Sequence, residues 1–187
     1  MARPRSDDKR SALLAAAGRV IAAQGLGAPT ARIAKEAGVS NGTLFVYFPN
    51  KIDLLNQLYV ELKAEMGAAT LRGMKAGAPR EQVRSMWKNW LGWAARFPEK
   101  RRVLALLEVE AAVTSASRAA GHQTMSPIAQ VLDQVRREGP LRDTSLAFVV
   151  GLMNSLADTT IDFMIREPAS AEKLSATGFD ALWRMVG

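Results

Sequence analysis

Apolar residues recur at helical spacing along the chain, and no segment alternates apolar and polar residues as a strand would. Glycine and proline punctuate this pattern between the apolar runs. A loop is predicted over about residues 115–125, where Gly121 and His122 lie. Helices are predicted over about residues 7–24, 30–37, 41–48, 50 to a boundary between 67 and 79, 80–97, 99–117, 126–138, 144–166 and 170–186. The sequence therefore predicts an all-α fold.

A helix-turn-helix is predicted between residues 30 and 51. Gly38 supplies the left-handed residue that ends the first short helix. Ser40 or Asn41 can cap the second helix, and Pro49 stops it. A generic helical hairpin does not require this order of residues, so the motif favours DNA binding.

Small and apolar residues set the angle between these two helices. Thr30 is the expected N-cap of the first helix. Ala34 is small enough for a close crossing, and Val39 and Leu44 fill the angle. The two phenylalanines of the second helix are assigned to the core rather than to DNA: Phe45 and Phe48.

Positive charge is concentrated near the N-terminus. The chain has 25 Lys and Arg against 18 Asp and Glu, a formal net charge of +7. Residues 1–51 carry eight of the basic and three of the acidic side chains, which is typical of a nucleic-acid reader. A solubilising basic surface is the alternative. The arm before the first helix offers four possible phosphate or minor-groove contacts: Arg3, Arg5, Lys9 and Arg10.

Composition excludes several chemistries. The chain has no cysteine and one histidine, His122, so thiolate and histidine-cluster metal sites are excluded and no cofactor is expected. No glycine-rich phosphate loop is present, and Asp158 and Asp162 form only a weak carboxylate pair, so an enzyme is not predicted. The longest apolar run, Leu146–Met153, is shorter than the roughly 20 residues of a membrane span. We therefore expect a cytoplasmic protein without a membrane partner.

The residues 30–51 pattern, in particular S-N-G-T-L-F-V-Y-F-P-N-K followed by I-D-L-L, resembles the TetR family of bacterial transcriptional regulators. The resemblance covers about residues 7–62. It implies a helix-turn-helix DNA-binding domain over residues 1–50 and a larger helical effector-binding and dimerisation domain over residues 51–187. It also implies a homodimer on a palindromic operator in double-stranded DNA, with a small-molecule effector that changes the separation of the DNA-binding heads.

The resemblance assigns DNA-contacting roles residue by residue. Phosphate contacts are implied for Tyr47 and Lys51. Polar contacts are implied for Ser40 and Thr43 at the start of the recognition helix, and further contacts from the helix before it for Thr30 and Arg32. Positions that face base edges are Asn41, Gly42 and Val46. The chain departs from the family pattern where Phe45 replaces the usual tyrosine and where Ala31 replaces a longer polar reader.

The recognition helix carries no charge between residues 40 and 48. Phosphate attraction must therefore come from Arg32, Lys35, Lys51 and the N-terminal arm. Bidentate recognition of guanine is not available, which leaves Asn41 for adenine and the methyl groups of Thr43 and Val46 for thymine. We predict A·T-weighted contact positions.

Tryptophans mark the candidate effector site. Three lie within seven residues, and ligand pockets are mostly apolar and aromatic. Ordinary core packing is the alternative. The candidate ligand-binding residues are Met86, Trp87, Trp90 and Trp93, with Glu110, Asn154 and Asp158 as polar anchors and Phe97 and His122 as further candidates. A buried Glu110 would favour a cationic effector.

The last two helices are the predicted dimer surface. The long helix carries two apolar stripes, more than one contact within a protomer needs. The second stripe consists of Phe148, Leu152, Leu156 and Phe163, and the final helix offers Leu174, Gly178, Ala181, Leu182 and Met185. The leading hypothesis is a ligand-responsive repressor. The alternative is a basic helical protein-interaction module without specific DNA recognition.

Overall fold

The computed structural model describes residues 5–187, with side chains from residue 7 onward. Every regular element in this range is a helix, which confirms the all-α prediction. The helices are α1 Arg5–Gln24, α2 Thr30–Glu36, α3 Asn41–Tyr47, α4 Lys51–Thr70, α5 Pro79–Arg96, α6 Pro98–Glu108, α7 Ser115–Thr124, α8 Ser126–Glu138, α9 Leu146–Arg166 and α10 Ala171–Val186, with a short 3-10 turn at Pro168–Ser170.

The chain divides into two compact units. The first unit runs to Ala64 and also contains Pro98–Gln123, and the second consists of Glu65–Phe97 and Thr124–Gly187. The first unit is therefore larger than the DNA-binding domain predicted over residues 1–50, because it includes the start of α4 together with α6 and α7. The functional division at residue 50 stays a prediction.

In the first unit, α1 packs against α2 and α6, and α2 packs against α3. The side chains of Leu13, Leu14 and Ile21 are fully buried along one face of α1. This spacing of apolar residues is the one that predicted α1, and it holds the helix-turn-helix against a continuous apolar surface.

The predicted loop over residues 115–125 is wrong, because this segment forms α7. Thr114 caps the helix: its hydroxyl accepts a hydrogen bond from the Ser117 backbone N–H at 3.2 Å. Gly121 lies against α4, where an added Cβ would come within 2.8 Å of the Tyr59 ring. The glycine permits close helix packing here instead of ending a helix.

The helix predicted over residues 99–117 ends at Glu108 because α4 binds the following backbone. The buried Asn56 side chain donates to the Ala112 carbonyl at 2.9 Å and accepts from the Thr114 N–H at 2.8 Å. These bonds satisfy backbone groups that a continued helix would have paired. Glu110 lies in this connection, where its carboxylate accepts from the Ala112 N–H at 3.0 Å.

A charged cluster joins α4, α6 and α7 within the first unit. The Tyr59 hydroxyl donates to Glu108 at 3.2 Å, and Lys63 and Arg118 form ion pairs with the same carboxylate. Burial, and then the negative charge of Glu108, raise the pKa of Tyr59 to about 12. The tyrosine is therefore a neutral hydrogen-bond donor at physiological pH, and it helps to hold α4 against its neighbours.

In the second unit, α9 packs against α5, α8 and α10. Gly178 of α10 lies so close to α5 and α9 that an added Cβ would be 2.9 Å from Trp87 and 2.7 Å from Thr160. Leu182 is also buried. The prediction that Gly178 and Leu182 belong to a dimer surface is therefore wrong, because both residues pack inside the protomer.

By length and apolar composition, α9 could cross a membrane. The same properties characterise core helices of globular proteins, and one side of α9 packs against three other helices of its unit. Its other side exposes Phe148 and Phe163, at 54% and 42%.

Candidate nucleic-acid interface

A left-handed glycine forms the turn between α2 and α3. Gly38 has φ +70°, as its predicted role requires. The Val39 N–H donates to the Ala34 carbonyl at 3.0 Å, which closes the end of α2. At the start of α2 the cap position is occupied by Pro29, so the prediction that Thr30 is the N-cap is wrong. Thr30 is instead the first helical residue.

Apolar contacts fix the two short helices against the first unit. Ile33 and Ala34 of α2 and Leu44 of α3 are buried, with at most 1% exposed. Phe48, immediately after α3, is also fully buried. These side chains leave the opposite side of α3 in solvent.

The start of α3 is capped by a hydroxyl. Ser40 Oγ accepts a hydrogen bond from the Thr43 N–H at 3.1 Å, and the two hydroxyl oxygens lie 2.9 Å apart. This confirms Ser40 as the cap and orients both predicted polar contacts. Pro49 follows the extended Phe48, at φ −134°, and ends α3 as predicted.

A reciprocal cap then starts α4 and positions Lys51. The Asp53 N–H donates to Asn50 Oδ1 at 2.9 Å, and Asn50 Nδ2 donates to the Asp53 carboxylate at 2.8 Å. Lys51, the first residue of α4, is half-buried next to α3.

Four residues form what we call the outward row of α3: Asn41, Gly42, Phe45 and Val46. All four are exposed, and they follow one another at i, i+1, i+4 and i+5 on one side of the helix. Val46 is 80% exposed and Phe45 41% exposed. The assignment of Phe45 to the core is therefore wrong. Thr43 and Tyr47 are half-buried beside the row, as is Thr30 on α2.

The cations near the helix-turn-helix lie on α2 and α4, the helices before and after α3. Arg32 and Lys35 of α2 are exposed. Within residues 7–187, neither they nor Lys51 form an ion pair with an acid. Other basic residues are engaged: Arg19 pairs with Glu36 at 2.9 Å.

Of the basic residues in the N-terminal arm, the structure describes the side chains of Lys9 and Arg10. The Arg10 guanidinium donates to the Gln57 side chain of α4, with Nε at 3.0 Å, so it is held within the first unit. Arg3 and the side chain of Arg5 lie outside the described residues. Lys9 is exposed on α1.

The helix-turn-helix matches known proteins. The sequence profile of the family described as "Bacterial regulatory proteins, tetR family" matches residues 13–58. An uncharacterised HTH-type transcriptional regulator of Haemophilus influenzae is 34% identical over 84 residues, which are 44% of this chain and 45% of that protein. The matched segment thus spans less than half of that relative.

Solved structures extend the likeness to the whole fold. A putative tetR family transcription regulator from Shewanella sp. PV-4 superposes with a TM-score of 0.85 and 26% identity, covering 95% of this chain and 97% of that chain. Residues 13–58 belong to the TetR family, and the whole chain shares the fold of TetR-family regulators. A TetR family regulator from Marinobacter aquaeolei VT8 shares the fold, with a TM-score of 0.83, 23% identity and coverage of 99% and 98% of the two chains. These relatives are transcriptional regulators, which confirms the prediction that the chain is not an enzyme.

The second unit has a small apolar cavity. Three of the predicted ligand-binding residues line it: Met86, Trp87 and Trp90 of α5. The remaining lining residues are Thr70, Val83, Ile128, Leu132, Met153 and Leu182. Its volume is about 20 Å³, room for about one water molecule, so a larger ligand requires side chains to move apart.

The other predicted ligand-binding residues do not line this cavity. The Trp93 indole donates to the Glu65 carboxylate at 3.2 Å, and its ring packs beside Phe97. Glu110 belongs to the first unit. Asn154 and Asp158 are exposed on α9.

Most of the cavity lining was missed from the sequence. Ile128 and Leu132 belong to an apolar stripe that predicted α8, and Met153 to a stripe that predicted α9. A helical stripe shows which face is buried but not whether its neighbours leave a gap. No sequence signal distinguishes these lining residues from ordinary core.

Proposed function

We propose that this TetR-family chain is a cytoplasmic homodimeric repressor that leaves a palindromic operator when a small molecule binds the second unit. The outward row of α3 carries the DNA-binding part of the proposal. It is exposed, uncharged and flanked by Arg32, Lys35 and Lys51, which no acid in residues 7–187 neutralises. This arrangement suits base contacts in the centre and phosphate contacts at the edges.

Selection of binding sequences from random double-stranded DNA tests this function. We expect inverted half-sites whose major-groove positions beneath α3 are weighted toward A·T pairs, because Asn41 suits adenine and the apolar side chains suit thymine. Half-sites dominated by G·C pairs there would contradict this assignment. If no sequence is enriched, the chain is instead a basic protein-interaction module.

The exposed side of α9 supports the homodimer. Ala147, Gly151, Ser155 and Thr159 follow one another at intervals of four residues and are all exposed. We call them the small row. Along one side of it lie the apolar residues Phe148, Leu152 and Leu156, and Phe163 continues the row after Thr159; these four are exposed or half-buried. This face matches the second predicted stripe, and a second copy of α9 would cover it.

The small row can accept a closely packed helix. The Ser155 hydroxyl donates to the Gly151 carbonyl at 3.1 Å, and the Thr159 hydroxyl donates to the Ser155 carbonyl at 3.0 Å. Both hydroxyls are thus satisfied within α9, so covering them leaves no unpaired donor. On α10, Ala181 is exposed and Leu174 and Met185 are half-buried, so they remain candidates for the same surface.

The two heads of such a dimer would couple effector binding to DNA binding. Half-sites one DNA turn apart, roughly 34 to 36 Å, are contacted together only within a narrow range of head separations. An effector that binds better to another separation shifts the population away from DNA.

The apolar cavity favours a neutral, apolar effector. The hydroxyl group of Thr70 already donates to the Met66 carbonyl at 2.8 Å, and the Trp87 indole N–H donates to the Ser175 carbonyl at 2.9 Å. The cationic effector suggested from Glu110 loses its support, because that carboxylate lies in the other unit. Two solved structures of transcriptional regulators, each 19% identical and alike in fold, hold ligands: FadR of Bacillus subtilis holds stearoyl-CoA, and the TetR-like LfrR of Mycobacterium smegmatis holds proflavine.

A thermal-shift panel of neutral apolar compounds, amines and acids tests the effector class. We expect only apolar compounds to raise the melting temperature, by a few degrees at saturation, and to release the selected DNA. Trp90→Ala removes a half-buried ring from the cavity lining. It should therefore change the order in which these compounds raise the melting temperature. Trp183→Ala is the control, since this half-buried tryptophan does not line the cavity. Stabilisation by amines alone would contradict the prediction.

Lys51→Ala should weaken DNA binding about equally for specific and random duplexes, because the ammonium group contacts phosphate rather than bases. The slope of log K against log salt should fall by roughly one unit for each lost contact, hence about two for a dimer. Fluorescence anisotropy over a salt series measures this slope. Lys173→Ala, which removes an exposed charge from α10, should leave it unchanged. A loss confined to the specific duplex would instead indicate a base contact.

A further inference from the structure

Two apolar side chains stand in solvent on the recognition helix. Phe45 and Val46 are 41% and 80% exposed, whereas their neighbours Leu44 and Phe48 are fully buried. The first unit therefore completes its core without the outward pair. Because exposed apolar surface is unfavourable in water, any apolar group that covers this pair gains binding free energy.

A glycine leaves open space beside the pair. Gly42 lies three residues before Phe45 and four before Val46, so all three share one side of α3. A Cβ added at Gly42 would meet only the Ser40 hydroxyl, at 3.8 Å. A base edge can therefore approach the backbone here and still reach the phenyl and isopropyl groups that project beyond it.

The major groove offers one apolar group on its base edges, the C5-methyl group of thymine. The other groups that distinguish the base pairs on those edges are hydrogen-bond donors and acceptors. On the outward row, Asn41 alone has a hydrogen-bonding side chain, and no residue of α3 is charged. The outward row can therefore make apolar contacts with methyl groups more readily than hydrogen bonds with polar groups of the bases.

We propose that Phe45 and Val46 are specificity-determining residues that read pyrimidine C5-methyl groups, an inference that rests on the operator binding proposed above. The methyl group is shared by thymine and 5-methylcytosine and is absent from uracil and cytosine. Affinity therefore depends on the methyl group itself as well as on the base pair. Methylation of cytosine within a half-site consequently changes binding.

Duplexes that contain base analogues test whether affinity depends on the C5-methyl group. The probe is the tightest-binding duplex selected from random DNA, with each thymine of one half-site replaced in turn by uracil, which keeps the pairing with adenine. Burial of one methyl group corresponds to a loss of about threefold to fivefold on its removal. At the same positions, a 5-methylcytosine·guanine pair should bind more tightly than a cytosine·guanine pair by a similar factor.

Substitutions at Phe45 and Val46 test whether these two side chains cause the discrimination between thymine and uracil. Phe45→Ala and Val46→Ala should bind thymine and uracil duplexes equally at the position that each residue reads. Phe45→Leu keeps an apolar contact and should retain part of the discrimination, and it serves as the second variant if Phe45→Ala melts below the assay temperature. Val109→Ala is the matched control, because Val109 is 84% exposed outside α3. This control should discriminate as the wild type does.

The outcomes of these experiments distinguish a failure of methyl recognition from a failure of the operator binding on which it rests. Failure to enrich any sequence would overturn both the operator binding and the methyl reading. An enriched operator that binds equally with uracil at every thymine position would overturn the methyl reading alone. Variants that still discriminate thymine from uracil as fully as the wild type would overturn the assignment to Phe45 and Val46.

Discussion

Replacing Gly151 by arginine is expected to break the proposed homodimer and to lower operator affinity by about 100-fold or more, since two linked heads bind far more tightly than one. Gly151 is exposed at the centre of the small row of α9, and no atom lies within 4 Å of an added Cβ. The protomer can therefore accept the larger side chain, whereas a closely packed partner helix cannot. Light scattering would measure the mass, and anisotropy the affinity.

The matched control is Gly92→Arg. Gly92 is an exposed glycine in the interior of α5, again with nothing within 4 Å of an added Cβ. The two substitutions add the same charge and remove the same helix-weakening residue. Gly92→Arg should remain dimeric and bind DNA normally. A Gly151→Arg variant that keeps the mass of the wild type would show that the dimer surface lies elsewhere.

Trp87→Ala should lower the free energy of unfolding by about 3–5 kcal/mol, the usual cost of emptying a buried tryptophan site. Trp87 is 2% exposed and lies against α10 near Gly178. Its indole N–H donates to the Ser175 carbonyl at 2.9 Å. Urea denaturation followed by circular dichroism measures the change, at one fixed protein concentration because dimer stability depends on it.

Two further variants separate packing from hydrogen bonding at this position. Trp87→Phe keeps an aromatic ring but removes the indole donor to the Ser175 carbonyl, at a cost of about 0.5–1.5 kcal/mol. Trp90→Ala should be milder than Trp87→Ala, since Trp90 is half-buried. If Trp87→Ala costs no more than Trp90→Ala, the central packing role assigned to Trp87 is wrong.

Local signals predicted the helix-turn-helix almost residue by residue. Gly38 has the left-handed φ, Ser40 caps α3, and Pro49 ends it. Each of these features depends on residues within four positions of one another, and such short-range chemistry can be read from sequence. The one local error, Thr30 as a cap, displaced the start of α2 by a single position.

Long-range packing explains the larger errors. Gly121 was interpreted as part of a loop, but it lies inside α7 because Tyr59 approaches it from α4. Glu110 was placed on a helix near the tryptophans, but α6 ends earlier because Asn56 binds the backbone that follows. In both cases the deciding side chain lies more than 50 positions away in the sequence.

The sequence by itself determined the all-α class, most helix boundaries and the helix-turn-helix, because apolar periodicity, caps and turns act between near neighbours. Tertiary structure alone decided which faces are covered. It left Phe45 in solvent beside a buried Leu44, turned Gly178 and Leu182 inward, and left the small row of α9 exposed. The physical reason is that a side chain is buried only where two surfaces meet. The sequence of a single helix shows the apolar pattern of its own surface but not which surface will cover it.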